Sequence, residues 1–357
     1  MAAARRRSGA APRARRPSTA PARTSTPPAA RPTRDFHPAQ RAGRAERAVP
    51  THATIPRGVD DAVLDVGGRQ VKLTNLRKQF WPKLGITKGD LLQYYADVAV
   101  WLLPHIADRA MVMKRYPHGA GGEFFFMKRA PTPRPSWIET CAIEHASGNV
   151  IDFPVIQDLP ALLWVINLGC IDLNQWYARC DDVDRPDYFH VDLDPGEGVE
   201  WEQLVESALV VHEALGALGM PAFVKTTGSR GIHVYVPIVR GPTQHEVWDV
   251  AKAFSNDLAK QHPKLLTAVY ARARRPAGRV LVDFNQNAWG RTLASIYSVR
   301  PHPRACVSTP VTWDELRRVR IDDFRIDNVP ARVRERGDLW APLLAPRGRY
   351  DLRKLLR

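Results

Sequence analysis

The stretch Tyr188–Asp194, YFHVDLD, alternates apolar and polar residues with the two-residue period of a β-strand. One face of this strand is predicted to carry Phe189, Val191 and Leu193, and the other His190, Asp192 and Asp194. Two carboxylates on one strand face can share hard divalent cations such as magnesium or manganese, which prefer oxygen ligands. A solvent-facing strand edge is the alternative interpretation. Because PGEG follows directly, the strand ends near Asp194, where active sites of sheet proteins are commonly found.

A glycine-rich turn follows at Thr226–His233, TTGSRGIH. Its glycines permit positive φ angles and close backbone approach, and successive backbone N–H groups in such a turn can cradle a phosphate. The hydroxyl of Ser229 can donate a hydrogen bond, and Arg230 supplies a charged fork. An ordinary glycine-rich hairpin has the same pattern and remains the alternative.

A third stretch, Val280–Asn287, VLVDFNQN, predicts a strand that ends at an acid. Asp283 follows β-branched residues, where a carboxylate is unfavourable unless a positive group meets it. A cation held jointly with Asp192 and Asp194 meets that requirement. Downstream, Arg300, within SVRP, can reach phosphates.

The rest of the chain interleaves helical and strand patterns. Thr87 and Asp90 have capping-box spacing at the start of a predicted helix. Strands interleaved with helices, some of them tightly connected, predict an α+β (mixed α/β) sheet protein. We expect a folded domain over residues 56–357, with an N-terminal module (56–180), a sheet module (181–310) and a C-terminal helical segment (311–357).

The positive charge of the chain is concentrated at its start. The sequence has 357 residues and a formal net charge of +15, and residues 1–50 hold 12 arginines against two acids, a net charge of +10. Eight prolines and few large apolar residues accompany them, so residues 1–55 are predicted to be a disordered basic arm. A mitochondrial transit peptide, which the prolines disfavour, and a start codon further downstream are the alternatives.

Composition excludes several classes of protein. The best apolar run, Ala161–Ile171, has 11 residues, whereas a membrane span needs about 20. The first 30 residues lack the apolar region of a secretory signal. The four cysteines form no CxxC pair, so neither a zinc ribbon nor a disulfide framework is indicated. Scattered cysteines of this kind are typical of a cytoplasmic protein.

Taken together, the three stretches resemble the motifs of the archaeo-eukaryotic primase superfamily: a DxD strand, an SxGxH turn and strand, and a strand ending in Asp. More closely, HVDLDPGEGVEW, TTGSRGIHVYVP and VLVDFNQN are similar to the polymerase domain of bacterial ligase D, the DNA-end-joining enzyme. The upstream stretches TNLRKQFWPKLGITKGDLLQYY, MKRYPHG and FFFMK match that family in order and spacing. The resemblance covers about residues 64–345.

The resemblance implies a primase-type fold, in which an RRM-like catalytic sheet packs with an N-terminal α/β module. It implies that the catalytic, metal-binding carboxylates are Asp192, Asp194 and Asp283. It places the incoming triphosphate at Ser229, Arg230, Gly231, His233, Gln286 and Arg300, and the nucleotide sugar near Asn174. It places a DNA 5′-phosphate at Lys78 and Lys88, and the template strand at Phe125 and Phe126, beside Lys114, Arg115 and Lys128.

The sequence departs from the family at three points. Asn174 stands where the family has histidine, which puts a ribonucleotide preference in doubt, and Arg230 stands where lysine is frequent. The KxDG motif of a ligase nucleophile is not found, and the length leaves no room for a ligase or phosphoesterase domain. We therefore expect a stand-alone homologue of the polymerase domain.

The implied function is that of a template-dependent DNA or RNA nucleotidyltransferase, a primase-polymerase. It would add nucleotides to a primer 3′-hydroxyl with two divalent ions, manganese or magnesium, in gap filling or end processing during bacterial DNA break repair. The implied partners are primer-template DNA with 5′-phosphorylated ends, nucleoside triphosphates, a Ku-type protein and a separate DNA ligase, without a membrane. The implied location is the cytoplasm, at the nucleoid. A two-metal nuclease and a non-catalytic binder of 5′-phosphorylated ends remain alternatives.

Overall fold

The computed structural model describes residues 52–145 and 147–356. The predicted basic arm lies outside the described residues up to Thr51. The few residues that follow already join the fold, because Ile55 is buried and packs in the main hydrophobic core.

The described part of the chain forms eighteen β-strands and seven α-helices. The strands are β1 (Ala62–Val66), β2 (Arg69–Leu73), β3 (Gln79–Trp81), β4 (Ile86–Thr87), β5 (Met111–Arg115), β6 (Phe125–Met127), β7 (Thr140–Glu144), β8 (Val150–Pro154), β9 (Cys170–Gln175), β10 (Ala178–Arg179), β11 (Asp182–Pro186), β12 (Tyr188–Pro195), β13 (Phe223–Thr226), β14 (Ile232–Pro237), β15 (Leu266–Thr267), β16 (Val280–Asp283), β17 (Leu293–Ala294) and β18 (Pro310–Val311). The helices are α1 (Lys88–Ile106), α2 (Leu159–Asn167), α3 (Trp201–Ala217), α4 (Gln244–Gln261), α5 (Trp313–Leu316), α6 (Val329–Arg336) and α7 (Ala341–Leu344).

The larger sheet has six strands in the order β15-β16-β12-β14-β13-β18. Its core strands follow one another as β12-α3-β13-β14-α4-β16, a βαββαβ arrangement with antiparallel neighbours. Strand β12 pairs with β14 on one side and with β16 on the other, and its residues 188–193 are all buried. The RRM-like sheet and the mixed α+β class predicted from the sequence are confirmed.

The two faces of β12 meet different layers. The Phe189 ring contacts the Phe254 ring of α4 with centroids 5.9 Å apart, which places the apolar face of the strand against the helices. On the opposite face, the His190 ring packs against Tyr177 at 4.1 Å and Tyr235 at 5.4 Å. Asp192 and Asp194 share that second face by alternation, so the sheet turns its acids away from the helical layer.

A second sheet faces this acidic side, with four strands in the order β17-β9-β5-β6. Helices α1 and α2 contact each other and pack against it through the hydrophobic core. Thr87 and Asp90 form the predicted capping box at the start of α1, and Asp158 caps α2. Both helices thus begin at side chains that satisfy otherwise unpaired backbone N–H groups.

The two sheets share one continuous core. Its buried residues extend from Ile55 to Leu352. Arg109 donates two hydrogen bonds from Nη2 to the carboxylate of Asp187, at 2.7 and 2.8 Å, and both side chains are buried. The proposed division near residue 180 stays a prediction, and β17 crosses it by joining the four-stranded sheet from the second half of the chain.

Among the described residues, no helix has the length and apolar character that crossing a membrane requires.

Candidate active site

Three acids meet where the central strands of the six-stranded sheet run side by side. Asp192 of β12 is the register partner of His233 on β14 and of Asp283 on β16. Asp194 lies two residues further along the same face. Asp192, Asp194 and Asp283 each offer an oxygen, and these three oxygens all lie within 4.8 Å of one another. The three carboxylates predicted from separate stretches of sequence therefore form one cluster.

Burial and mutual repulsion make the protonated forms of these acids favourable. Burial, and then the charge of Asp283, raise the pKa of Asp192 to about 7. The charge of Asp192, and then burial, raise the pKa of Asp194 to about 6. Burial also raises the pKa of Asp283. The protein thus gathers negative charge without supplying an equivalent positive charge.

The donor atoms of the cluster fit a hard divalent cation. Oδ1 of Asp192 is buried without a hydrogen-bond partner, and Nε2 of His233 lies 3.2 Å away but is not aligned for a hydrogen bond. Asp283 is held in place, because its oxygens accept hydrogen bonds from the Asn285 backbone at 2.9 Å and from Gln286 Nε2 at 3.1 Å. An oriented, all-oxygen set with an unsatisfied buried oxygen is what magnesium or manganese requires.

Backbone constraints shape the glycine-rich turn between β13 and β14. Gly228 has φ +66°, and a Cβ there would lie 2.7 Å from the Val307 carbonyl carbon. A Cβ on Gly231 would lie 2.5 Å from the Leu193 carbonyl oxygen. These positions therefore require glycine for backbone conformation and close approach, as the sequence predicted.

The backbone N–H groups of this turn have an internal acceptor. The amides of Ser229 and Gly231 both donate to Oγ1 of Thr227, at 3.2 and 3.0 Å. The phosphate cradle of backbone amides expected from the sequence is therefore not formed by these two groups. The half-buried Ser229 side chain and the exposed Arg230 side chain remain as the phosphate-binding groups of the turn.

A cavity of about 220 Å³ opens beside the acids. It brings together nine of the predicted site residues: Asn174, Asp192, Asp194, Ser229, Arg230, Gly231, His233, Gln286 and Arg300. Thr227, Thr292, Leu293 and Ala294 complete its wall. Asn174 belongs to β9 of the four-stranded sheet, so the cavity lies between the two sheets. Acids form one part of its wall and arginines another, which is suited to a metal-bound polyphosphate.

Two buried basic groups lie here, His233 in the wall of the cavity and Lys225 beside it as its register partner on β13. His233 is buried, and burial together with the charges of Lys225 and Arg300 lowers its pKa well below the usual range, so it is neutral. Lys225 is fully buried and donates from Nζ to the Ala294 carbonyl at 3.0 Å. The sequence analysis missed Lys225, although a lysine in the apolar run FVKT is a signal, because a buried ammonium needs acceptors.

Asp172 is a second residue that the sequence analysis missed. It is 1% exposed on β9, and its oxygens lie 3.3 Å from Nε of Arg300 and 3.4 Å from Nζ of Lys114. Arg300 also donates from Nη1 to the Thr227 carbonyl at 2.7 Å. An acid within the apolar run GCIDL was the available signal. Asp172 thus fixes the arginine that faces the nucleotide cavity.

The aromatic residues predicted to contact DNA divide between two faces of the edge strand β6. Phe126 pairs in register with Lys114, and Phe125 pairs with Arg115. Nζ of Lys114 lies 4.0 Å from the Phe124 ring centroid and 5.9 Å from that of Phe126. All three phenylalanines are about half exposed. Phe124 and Phe126 therefore lie on the same face, next to Lys114, which also contacts Asp172. Phe125 lies on the opposite face, because side chains alternate along a strand.

The remaining predicted DNA contacts lie apart from this face. The Lys88 backbone amide donates to the Lys78 carbonyl at 2.8 Å, so the two lysines are neighbours. Lys78 is exposed, whereas Lys88 is 5% exposed and donates from Nζ to the Thr74 carbonyl at 2.7 Å. Burial, and then the charge of Lys78, lower the pKa of Lys88 to about 8. Lys128 is exposed just beyond β6.

Comparisons with known proteins agree with this geometry. The family model described as "LigD, primase-polymerase domain" matches residues 87–340. The chain is 36% identical over 276 residues to the multifunctional non-homologous end joining protein LigD of Mycolicibacterium smegmatis, covering 77% of this chain and 36% of that protein. It is 27% identical over 270 residues to the bifunctional non-homologous end joining protein LigD of Bacillus subtilis, covering 75% and 43%. The chain thus spans well under half the length of these relatives.

A solved structure shows the same likeness. The polymerase domain of Mycobacterium tuberculosis ligase D, in complex with DNA, superposes with a TM-score of 0.73 at 32% identity, covering 77% of this chain and 98% of that one. The family match covers most of the chain and includes all three acids and the glycine-rich turn. The chain therefore belongs to the LigD primase-polymerase domain family, a family of metal-dependent, DNA-directed nucleotidyltransferases.

Proposed function

We propose that this chain is a template-dependent nucleotidyltransferase that adds nucleotides to a primer 3′-hydroxyl, in gap filling or end processing during bacterial DNA break repair. The observation that carries the proposal is the position of the three-carboxylate cluster beside a cavity walled by Ser229, Arg230 and Arg300. Membership in the family and the DNA complex of the similar polymerase domain support the same reaction.

Asp192, Asp194 and Asp283 would hold divalent cations, manganese or magnesium, and we propose two ions. When bound, these ions supply Lewis-acid activation of the attacking hydroxyl and neutralisation of the phosphate charge. Gln286 orients Asp283, and neutral His233 adds no positive charge that would compete with a cation at Asp192. The protein's own share of catalysis is thus the fixed orientation of its carboxylates.

Arg230 and Arg300 bind the triphosphate from the opposite wall. Arg300 is half-buried and held by Asp172 and the Thr227 carbonyl, whereas Arg230 is exposed and free to follow the phosphates. A guanidinium that is already oriented loses little rotamer entropy when a phosphate arrives. Charge compensation and positioning are what phosphoryl transfer requires of a protein.

Template and primer would lie along the edge strand β6 and the lysines near the start of α1. Phe124 and Phe126 offer exposed rings for unstacked bases, and Lys114 and Lys128 offer charge for the backbone. Lys78 and Lys88 would bind the 5′-phosphate of a DNA end. Asn174 lines the cavity, and we propose that its amide replaces the family's histidine at the sugar and weakens the preference for ribonucleotides.

We propose that ligation and end recognition are supplied outside these 357 residues, by a DNA ligase and a Ku-type protein. The relatives are named for non-homologous end joining, which supports a role beside these activities.

Primer extension tests the proposal. A labelled primer-template with a 5′-phosphorylated gap is incubated with nucleoside triphosphates and either manganese or magnesium. Wild-type protein and the exposed-acid control Asp257→Ala should extend the primer, and Asp192→Ala and Asp283→Ala should not. Equal extension by all four proteins would refute the metal assignment. Shortening of DNA without nucleotides would indicate a nuclease, and tight binding of 5′-phosphorylated ends without extension would indicate an end binder.

A further inference from the structure

A second cluster of metal-ligating side chains lies outside the nucleotide cavity. His302 and Cys306 flank the turn after β17, and Asp322 lies in the short 3₁₀ helix at Ile321–Asp323. Nδ1 of His302 lies 3.0 Å from Sγ of Cys306, Sγ lies 3.5 Å from Oδ1 of Asp322, and Nδ1 lies 3.8 Å from the same oxygen. One nitrogen, one sulfur and one oxygen thus converge on one point.

These separations match the edges of a tetrahedral zinc site. Zinc bonds of about 2.0–2.1 Å to nitrogen or oxygen and about 2.3 Å to sulfur place adjacent ligands roughly 3.3–3.6 Å apart. Of the three distances found here, 3.5 Å lies within that range, 3.0 Å lies below it and 3.8 Å lies above it. Imidazole, thiolate and carboxylate are also the three ligand types that zinc accepts in proteins, whereas the acids of the nucleotide cavity offer only oxygen.

Contacts outside the cluster hold the carboxylate of Asp322 and the backbone of His302 and Cys306. Nη1 of Arg304 lies 2.9 Å from Oδ2 of Asp322, which leaves Oδ1 directed at the cluster. Trp81 donates from Nε1 to the His302 carbonyl at 2.9 Å. The Cys306 carbonyl accepts a hydrogen bond from the Arg300 amide at 2.8 Å. The site is therefore arranged before any ion arrives, as a metal site requires.

Side-chain exposure and nearby charge determine the fourth ligand of the site and its affinity for zinc. Cys306 is fully buried, whereas His302 and Asp322 have side chains 26% and 40% exposed, so solvent can reach a fourth position. A bound ion would replace the weak hydrogen bond from the Arg304 amide to Nδ1 of His302, at 3.3 Å. The positive charge of Arg304 opposes the ion, so the site should bind zinc less tightly than a four-ligand structural site does.

We propose that His302, Cys306 and Asp322 bind one zinc ion, with water as the fourth ligand, separately from the divalent cations of the three-carboxylate cluster. The ion would cross-link the turn at residues 302–306 to the 3₁₀ helix at 321–323. Because the Arg300 amide bonds to Cys306, this segment directly supports the arginine that faces the nucleotide. Zinc would thus stabilise one wall of the cavity without taking part in the chemistry.

Cobalt substitution tests the proposal on the full chain. Cobalt(II) bound to a thiolate in a tetrahedral site gives a sulfur-to-metal charge-transfer band and intense visible d–d bands. Wild type and the control Cys141→Ser, which removes a buried cysteine elsewhere, should show both, and Cys306→Ser should lose the charge-transfer band. A wild type without that band, or a band that persists in Cys306→Ser, would overturn the proposal.

Zinc stoichiometry gives a second test that does not depend on the buried cysteine. In competition with a chromophoric chelator, wild type and Asp192→Ala should each retain one zinc equivalent. His302→Gln and Asp322→Asn, which change partly exposed side chains, should bind zinc at least tenfold more weakly. Loss of the retained zinc in Asp192→Ala, with retention in His302→Gln, would assign the ion to the three-carboxylate cluster and refute the second site.

Discussion

The guanidinium of Arg300 and the carboxylate of Asp172 form a buried ion pair, with Nε and Oδ1 3.3 Å apart. Asp172 belongs to the four-stranded sheet. Arg300 also donates a hydrogen bond to the carbonyl of Thr227, in the turn that follows β13, so it links this turn to the four-stranded sheet. Burial raises the pKa of Asp172, and the charges of Arg300 and Lys114 oppose that rise. The pair thus orients a phosphate-binding arginine at the junction of the two sheets.

Replacement of Asp172 should impair nucleotide binding more than the chemical step. Asp172→Asn removes the counter-charge of the ion pair that orients Arg300, and the KM for nucleotide should rise roughly tenfold, which corresponds to about 1.4 kcal/mol of lost binding free energy. Asp172→Glu keeps the charge and should recover part of the loss. Steady-state extension kinetics measure both variants, with melting curves to show that they fold. An unchanged KM in a folded Asp172→Asn protein would contradict the positioning role.

The division of the phenylalanines between two faces predicts unequal effects on DNA binding. Phe126→Ala should weaken binding of a template with a single-stranded overhang by about 1–3 kcal/mol, the value of one stacked base. Phe124→Ala should act in the same direction, because both rings lie near Lys114. Phe125→Ala is the matched control and should change affinity much less. Fluorescence anisotropy measures the three variants, and equal losses for Phe125 and Phe126 would refute the assignment of faces.

Local sequence patterns predicted the parts of this fold that depend on neighbours along the chain. The alternation in β12, the capping box of α1 and the glycines of the turn are satisfied within a few residues, and the structure shows each of them. The clustering of the three acids was also predicted, from alternation for Asp192 and Asp194, and for Asp283 from the cost of a carboxylate after β-branched residues.

Contacts between distant segments were not predictable in the same way. Asp172 and Lys225 are buried ionisable residues whose partners lie 128 and 69 residues away in sequence, at Arg300 and Ala294. No local period relates them, so their roles appear only when the sheets face each other. The assignment of Phe125 and Phe126 to the template strand stays a prediction, and alternation along a strand places the two rings on opposite faces.

The raised pKa values of the acidic cluster predict a pH-dependent stability of the metal-free protein. The pKa of Asp192 rises from 3.8 to about 7, so the folded state holds a proton that the unfolded state has released. The resulting stabilisation is present below about pH 4 and is lost as pH rises toward 7. The free energy of unfolding in EDTA should therefore fall between pH 5 and 7 in wild type and fall less in Asp192→Asn. Urea titrations measure it, and parallel curves for the two proteins would contradict the shift.

The proton that Asp192 holds in the metal-free protein should be released when a metal ion binds. Manganese must displace it, so the apparent affinity should rise as pH increases from about 5.5 to 7.5. Calorimetry in buffers of different ionisation enthalpy measures the released protons, which should be fewer in Asp192→Asn than in the control Asp257→Asn.

The buried pair Arg109–Asp187 should contribute to stability and not to chemistry. Removing Arg109 leaves the buried Asp187 carboxylate with Arg179 as its ion-pair partner, whose Nε donates to Oδ2 at 3.1 Å. Arg109→Met should therefore lower the free energy of unfolding by about 3 kcal/mol, the lower end of the cost of breaking a buried pair. The double variant Arg109→Met with Asp187→Leu removes both charges and should cost less than the single variants. Denaturant unfolding measures all three. A double variant as unstable as the sum of the single variants would show that the two side chains do not act as a pair.

Lys88 predicts how recognition of a DNA end depends on pH. Burial, and then the charge of Lys78, lower its pKa to about 8, so its ammonium loses its proton as pH rises through that value. The preference for 5′-phosphorylated over 5′-hydroxyl ends should therefore decrease between about pH 7 and 9. Lys88→Gln should lack the preference throughout this range, whereas the exposed control Lys83→Gln should behave as wild type. A preference that stays constant to pH 9 in wild type would contradict the role of Lys88 in binding the phosphate.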